Sequence, residues 1–262
     1  MVRAADRARN PARASVWLED KAARVSSRKA GPDQPDGLDR DRIIATAVRL
    51  LDAEGLSKLS MRRIATELNV TAMSLYWYVD TKDDILELTV DAVFGELPLT
   101  DPDDGQDWRV HLRRLAVDYR TVLVRHPWVS TIVNEYLNIG PHSIAFAEAV
   151  QKIIRTTGLP PRARSGATAA VFQFAYGFGT MEGHFNQRCA ASGMTPDEYY
   201  SDAMDAFTDD PKLVGQIDEV KDVIAAHAGK TVAEVWEGDF TFALDLMIAG
   251  IEAMVSRYGT ES

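Results

Sequence analysis

The stretch from Leu59 to Lys82, LSMRRIATELNVTAMSLYWYVDTK, holds the side chains best suited to act on another molecule. In a short helix that starts at Thr71, Leu75 and Val79 turn inward together with Val70, leaving Thr71, Ala72, Met73, Tyr76, Trp77 and Tyr78 to face out. So much uncovered aromatic surface fits the major groove of DNA, where the second helix of a helix-turn-helix presents side chains to base edges and phosphates. The competing reading is a helical hairpin whose rings pack beneath another element.

Catalytic patterns are weak by comparison. Gly177-Phe178-Gly179 followed by Gly183 is one residue too long for a dinucleotide fingerprint, and no strand precedes it. The histidines at 111, 126, 142, 184 and 227 show no H-E-x-x-H or comparable ligand spacing, and there is no G-x-S-x-G elbow. The expectation is therefore a protein that is not an enzyme and has no cofactor or metal. A single cysteine, Cys189, excludes an intramolecular disulfide.

The elements that must carry the 59–82 stretch are helical. Ser60 can cap a helix whose Ile64, Ala65 and Leu68 share one face, and Asn69 and Val70 interrupt it before Thr71. Upstream, Asp39 caps an amphipathic helix with Ile43, Ala47, Leu50 and Leu51 at helical spacing, and Gly55 ends it. Downstream, Thr81 caps a helix through Ile85, Leu88 and Val93, with Asp83 and Asp84 in the first turn where the helix dipole favours negative charge.

Over Asp39 to Leu97, through LSMRRIATELNV, SLYWYV and TKDDILEL, these residues resemble the tetracycline-repressor (TetR) family of bacterial transcription regulators. FTFALDLMIAGIEAMV, from Phe240 to Val255, is similar to the last helix of the tetracycline-repressor class itself. The resemblance implies an all-α fold, with an N-terminal three-helix helix-turn-helix domain and a larger helical domain for ligand binding and dimerisation. It implies a homodimeric repressor released from a palindromic operator by a small molecule. Activation, or a helical enzyme or scaffold without DNA binding, stands as the alternative.

The resemblance also assigns roles in the reading head. Arg62 would reach a base edge or phosphate, while Met61 stands where the family often has a polar side chain. Ala72 and Met73 would meet thymine methyls. Tyr76, Trp77 and Tyr78 would hold phosphates or pack on sugars, Lys82 would meet the backbone, and Ser60, Thr71 and Ser74 complete the candidate surface.

Length and charge agree with this division. The chain has 262 residues, 46% hydrophobic, enough for one large or two modest helical cores. Residues 1–82 hold 15 Lys or Arg against 11 Asp or Glu, and the remainder 14 against 28, so the net −10 is concentrated away from the proposed reading head. No apolar run is long enough to span a bilayer and no secretory signal precedes the first helix, so a cytoplasmic protein is expected.

Three regions follow. Residues 1–38 are rich in Arg, Ala, Ser, Pro and Gly and predict a flexible basic arm, in which Arg24, Arg28 and Lys29 are candidates for the adjacent minor groove. Val16-Trp17-Leu18 is an apolar island within it that could dock on the protein or do nothing. Residues 39–97 form the DNA-binding domain. The turn-rich LPLTDPDDGQD connector then opens a helical domain over 98–262.

In that last region helices are predicted from Trp108 to His126, over Val129–Leu137, Ser143–Thr157, Arg164–Arg188 and Phe240–Tyr258, with further starts at Thr195-Pro196 and Asp210-Pro211. The segments near 164–188 and 240–258 are candidates for a four-helix bundle between two subunits, an arrangement the resemblance also implies. Tyr119, Trp128, Phe174, Phe178, Met181 and Phe185 are candidate walls of an effector pocket, with Asn134, Glu182 and His184 as polar contacts. Aligned on Trp108 and His126, Tyr119 falls at a pocket aromatic of the tetracycline-repressor class, but Val133 and Pro98 replace two of its pocket histidines. One of those histidines helps hold magnesium-tetracycline, so the departure points to an apolar or aromatic effector, polyketide-like or another exported drug.

Overall fold

The computed structural model describes residues 15–18, 38–101, 104–209 and 225–259. Among these residues there are ten α-helices and no strand. None of the helices is long and apolar enough to cross a membrane. The chain folds as two compact units, Met1–Ile153 and Ile154–Ser262.

The first unit begins with α1, Arg40–Glu54, where the Asp39 side chain accepts the Arg42 N–H at 2.7 Å and Gly55 ends the helix at φ 79°. Ser60 caps α2, Met61–Glu67, by accepting from the Arg63 N–H, and Thr71 caps the single turn of α3, Ala72–Leu75, by accepting from Ser74. Between them Asn69 takes a left-handed φ of 54°, a conformation its short amide side chain tolerates. Ile43, Leu51, Ile64, Leu75 and Ile85 are fully buried and make the small core of this head.

The helix that follows, α4, Lys82–Phe94, opens with a capping box in which Thr81 and Asp84 each satisfy the other's backbone N–H. It is buried nearly all round, and Asp84, Glu87 and Asp91, spaced three and four residues apart, lie along one side of it. Asp84 closes the helix's own cap, whereas Glu87 and Asp91 answer backbone N–H groups of distant segments. Asp84 accepts from Asp80 and Thr81, Glu87 from Val16, and Asp91 from His142 and Ser143.

After the connector come α5, Trp108–Arg125, and α6, Pro127–Ile132, with His126 as the break between them and a 3-10 turn at Val133–Glu135. Proline at 127 forbids His126 a helical conformation and is itself a favoured first helical residue. The predicted helix over Val129–Leu137 is therefore displaced towards Pro127 and ends earlier. α7 spans Pro141–Thr156.

The second unit contains α8, Pro161–Ser192, stopped by Gly193 in a left-handed cap, then α9, Pro196–Asp209, and α10, Val232–Gly259. α10 begins eight residues before the predicted Phe240, at a capping box in which Thr231 and Glu234 exchange hydrogen bonds. Phe240 and Leu244 of α10 are buried, and the Phe240 ring stacks on Phe174 of α8 at 5.1 Å between centres. The helix start predicted at Asp210-Pro211 lies outside the described residues.

Candidate nucleic-acid interface

The local packing of α3 decides which side chains the head offers. Leu75 and Val79 are sealed at 0% and 2% exposure, while Met73, Tyr76 and Trp77 are left 69%, 41% and 51% exposed. Arg62 and Thr71 are also exposed, and Met61, Ala72, Ser74 and Lys82 are half-buried. The Ser60 and Thr71 hydroxyls cap their helices, and Thr71 and Ser74 are joined hydroxyl to hydroxyl at 2.9 Å.

Tyr78 departs from the expectation that it faces out. It is buried, and its hydroxyl donates to the Leu38 carbonyl. Leu75, Tyr78 and Val79 stand at helical spacing on one face, so Tyr78 belongs to the inward set and holds the entry to α1 instead of offering its ring outside. Arg63, which the sequence did not single out, braces the same head. Its guanidinium pairs with Glu54 at 2.6 Å and Glu67 at 2.9 Å, tying α2 to the end of α1. Those hydrogen bonds push its pKa further up and lower that of Glu54.

The predicted arm is not wholly without structure. Ser15–Leu18 forms a turn against α4, with Ser15 and Val16 buried. Arg24, Arg28 and Lys29 lie outside the described residues, whereas both flanking points, Leu18 and Leu38, belong to described segments of the same unit.

A polar joint connects the end of α1 with the α5–α6 break. His126 Nδ1 lies 2.7 Å from Asp52 Oδ1 and its Nε2 lies 3.2 Å from Glu96 Oε2. Arg125 reaches Glu96 at 2.9 Å, and the Trp128 indole N–H donates to Asp52 at 2.7 Å. Burial acts to lower the His126 pKa, but hydrogen bonds and charge from Asp52 and Glu96 outweigh it, and the net shift is upward.

The candidate effector contacts are spread over several places. Tyr119 is buried in an aromatic trio with Phe94 at 6.2 Å and Phe146 at 5.4 Å, two rings the sequence did not single out. Trp128 belongs to the joint around Asp52, and Asn134 is exposed on the 3-10 turn. On the same helix, Asp118 has a buried Oδ2 with no hydrogen-bond partner among the described residues, and burial raises its pKa against the pull of Arg114. In the second unit Phe174 and Phe178 pack on Phe240, with Trp236 edge-on to Phe178. Phe185 meets Tyr199, Glu182 and His184 are half-buried, and Met181 is 63% exposed.

α8 and α10 also border an apolar groove of about 400 Å³, lined by Leu159, Ala163, Gly166, Ala167 and Ala170 on one side and by Leu246, Met247, Gly250, Ile251 and Met254 on the other. Large apolar side chains of α10 stand uncovered beside it, Phe242 at 72% and Leu246 at 64% exposure. A contiguous apolar surface of this kind marks a place where another molecule packs.

Two family models match the chain. The model for bacterial regulatory proteins of the tetR family covers residues 43–89, and that for the tetracyclin repressor-like C-terminal domain covers residues 101–255. An HTH-type transcriptional regulator of Saccharopolyspora erythraea is 32% identical over 216 residues, spanning 82% of this chain and 85% of that protein. The HTH-type transcriptional repressor DrrR1 of Streptomyces coeruleorubidus is 29% identical over 231 residues, or 85% of this chain and 80% of that one. ActR of Streptomyces coelicolor, solved in complex with actinorhodin, shares the fold with a TM-score of 0.63 at 24% identity over 83% of this chain and 98% of that one.

Proposed function

The chain belongs to the tetR family of bacterial regulatory proteins, helix-turn-helix transcription regulators and not enzymes, and from that premise we propose that it is a homodimeric repressor released from a palindromic operator by a small molecule. The observation that carries this reading is the uncovered row Met73, Tyr76 and Trp77 beside the sealed Leu75 and Val79. On a monomer with a complete core of its own, such a row is surface reserved for a duplex.

In this reading residues 39–97 are the reading head, residues 98–262 the effector and dimer domain, and residues 1–38 an arm. Arg62 supplies a bidentate or phosphate contact, Met73 and Ala72 apolar contact to thymine, Tyr76 and Trp77 grip the backbone, and Lys82 meets a phosphate. Ser60, Thr71 and Ser74 position these groups through their caps, since their hydroxyls are already engaged. Arg24, Arg28 and Lys29 enter the neighbouring minor groove. Tyr78 has no place in the contact surface.

Dimerisation through α8 and α10 covers Phe242 and Leu246 and sets two reading heads at the separation of successive major grooves. The repressor DrrR1 supports repression, and ActR, solved in complex with actinorhodin, supports a small-molecule effector. The Tyr119, Phe94 and Phe146 trio supplies rings for such a ligand. Effector bound there biases α4, which carries Phe94 at one end and the cap of the reading head at the other. Emptying an operator requires a differential affinity of several kcal/mol, on the order of 5 for a full reversal of populations. The protein acts in the cytoplasm, where its DNA is.

The decisive experiment is fluorescence anisotropy with the DNA flanking the protein's own gene. Specific binding that weakens steeply with salt is expected. Affinity equal to that for scrambled DNA would favour the helical scaffold instead.

A further inference from the structure

Glu87 is a carboxylate in the middle of α4 with only 3% of its surface exposed. A charge in that position must be matched by hydrogen-bond donors, because an uncompensated buried carboxylate is strongly destabilising. Its donors come from a four-residue piece of chain more than seventy positions away in sequence. Ser15 Oγ donates to Oε1, and the Val16 N–H donates to Oε2 at 2.8 Å. Among the described residues nothing else hydrogen-bonds to it.

The piece is shaped for this task. The Ser15 hydroxyl also accepts the Trp17 N–H at 3.1 Å, and the Leu18 N–H reaches back to the Ser15 carbonyl, so the turn is closed on itself before it meets α4. Val16 fills the apolar surface beside the carboxylate at 5% exposure. Trp17 then crosses to α1, where the Arg40 guanidinium lies 5.8 Å from its ring centre, within range of a cation–π contact. Arg40 Nε is buried with no hydrogen-bond partner among the described residues. Beyond Trp17 the groove between α1 and α4 continues over Ile44, Val48, Leu88 and Ala92.

From this we infer that the α1–α4 groove is a docking site for the chain's own N-terminal segment, and that Ser15–Leu18 is a latch holding the reading head in its operator-binding arrangement. α1 belongs to the head, and α4 joins the head to the α5–α7 helices. The latch touches both, through Arg40 and Glu87. With it seated, Glu87 of α4 has both its donors and Arg40 of α1 has the Trp17 ring against it. With it absent, Glu87 must take its donors from water, and α1 loses a neighbour that holds it to α4. Operator affinity then falls by the fraction of heads that leave the competent arrangement. The inference about affinity rests on the DNA-binding reading above, whereas the docking site does not.

The test uses the full chain and two readouts. Hydrogen exchange at the Val16 amide reports the seated latch without any DNA. It is expected to be slowed at least about 100-fold relative to an unstructured segment. That protection is lost in Glu87→Leu, which has no acceptor for the Val16 N–H, and in Ser15→Ala combined with Trp17→Ala should Glu87→Leu prove unstable. Anisotropy with the operator reports the consequence, and Trp17→Ala is expected to weaken binding about tenfold, the shift produced when a tenth of the heads remain competent. An unprotected Val16 amide in the wild type overturns the docking site. A protected amide with operator affinity unchanged in Trp17→Ala overturns the latch. If the wild type itself ignores the DNA, the regulator reading and the affinity effect fall together, and exchange alone decides the site.

Discussion

Asp91 Oδ1 accepts both the backbone N–H and the hydroxyl of Ser143, each at 2.9 Å, so a carboxylate on α4 serves the first turn of α7. The N–H groups at a helix start have no partner within their own helix, and an anion placed there is doubly favourable because it also meets the positive end of the dipole. Asp91→Ala is expected to cost about 2–3 kcal/mol in urea unfolding. Gly140 is the neighbour that permits the contact, since a Cβ there would overlap the Asp91 carboxylate. Gly140→Ala should cost roughly 1–3 kcal/mol from the forced displacement. In the double substitution the two losses should add to less than their sum, because removing the carboxylate also removes the clash.

The joint around His126 makes stability depend on pH in a definite direction. The pKa of His126 is raised above its ordinary 6.5, so the folded state binds the proton more tightly than the unfolded chain. Its contribution is full below about pH 6.5 and is lost as the pH rises through the higher folded value. Urea midpoints should therefore fall between about pH 6 and pH 8 in the wild type. His126→Gln should flatten that decline, and an equal slope in the two proteins would remove His126 as its origin.

Two tyrosines two positions apart should respond in opposite ways. Tyr76→Ala, like Arg62→Ala, is expected to weaken operator binding by roughly 1–3 kcal/mol with the dimer and its melting temperature unchanged. Tyr78→Phe should lower stability by about 1 kcal/mol, because the Leu38 carbonyl loses its donor, while direct DNA contacts are untouched. Anisotropy and thermal melting on the same samples separate the two effects.

The exposed face of α10 should behave as an interface. Leu246→Glu places a charge where two copies meet and is expected to give a monomer by sedimentation velocity. Loss of the dimer should also collapse operator affinity, since one head binds a half-site only. A dimeric Leu246→Glu protein would move the interface elsewhere.

Local features of the fold were legible because their causes are local. Asp39, Ser60, Thr71 and Thr81 each precede an apolar periodicity, and each caps the helix it announces. The Thr231 to Glu234 pattern announces α10 in the same way, and the helix starts eight residues ahead of the apolar run that begins at Phe240. Tyr78 was legible in principle from its spacing to Leu75, but its partner Leu38 is forty positions away. Trp128 has an aromatic composition suited to a pocket wall, yet its indole N–H goes to Asp52, 76 positions upstream. Nothing periodic links Ser15 to Glu87, Asp91 to Ser143 or Asp52 to His126. Such pairs exist only after the helices have packed, and no spacing rule within one helix can announce them.

Glu87 and Asp91 fasten two separate stretches to one side of a single rod, while Asp84 closes the rod's own first turn. Turning that rod about its long axis strains both fastenings together, and neither can yield gradually while the other holds. Closely packed boundaries of this kind settle into one of two arrangements and do not deform continuously. A stimulus at the far end of the rod is therefore transmitted as a click, which suits a switch that must be fully on or fully off.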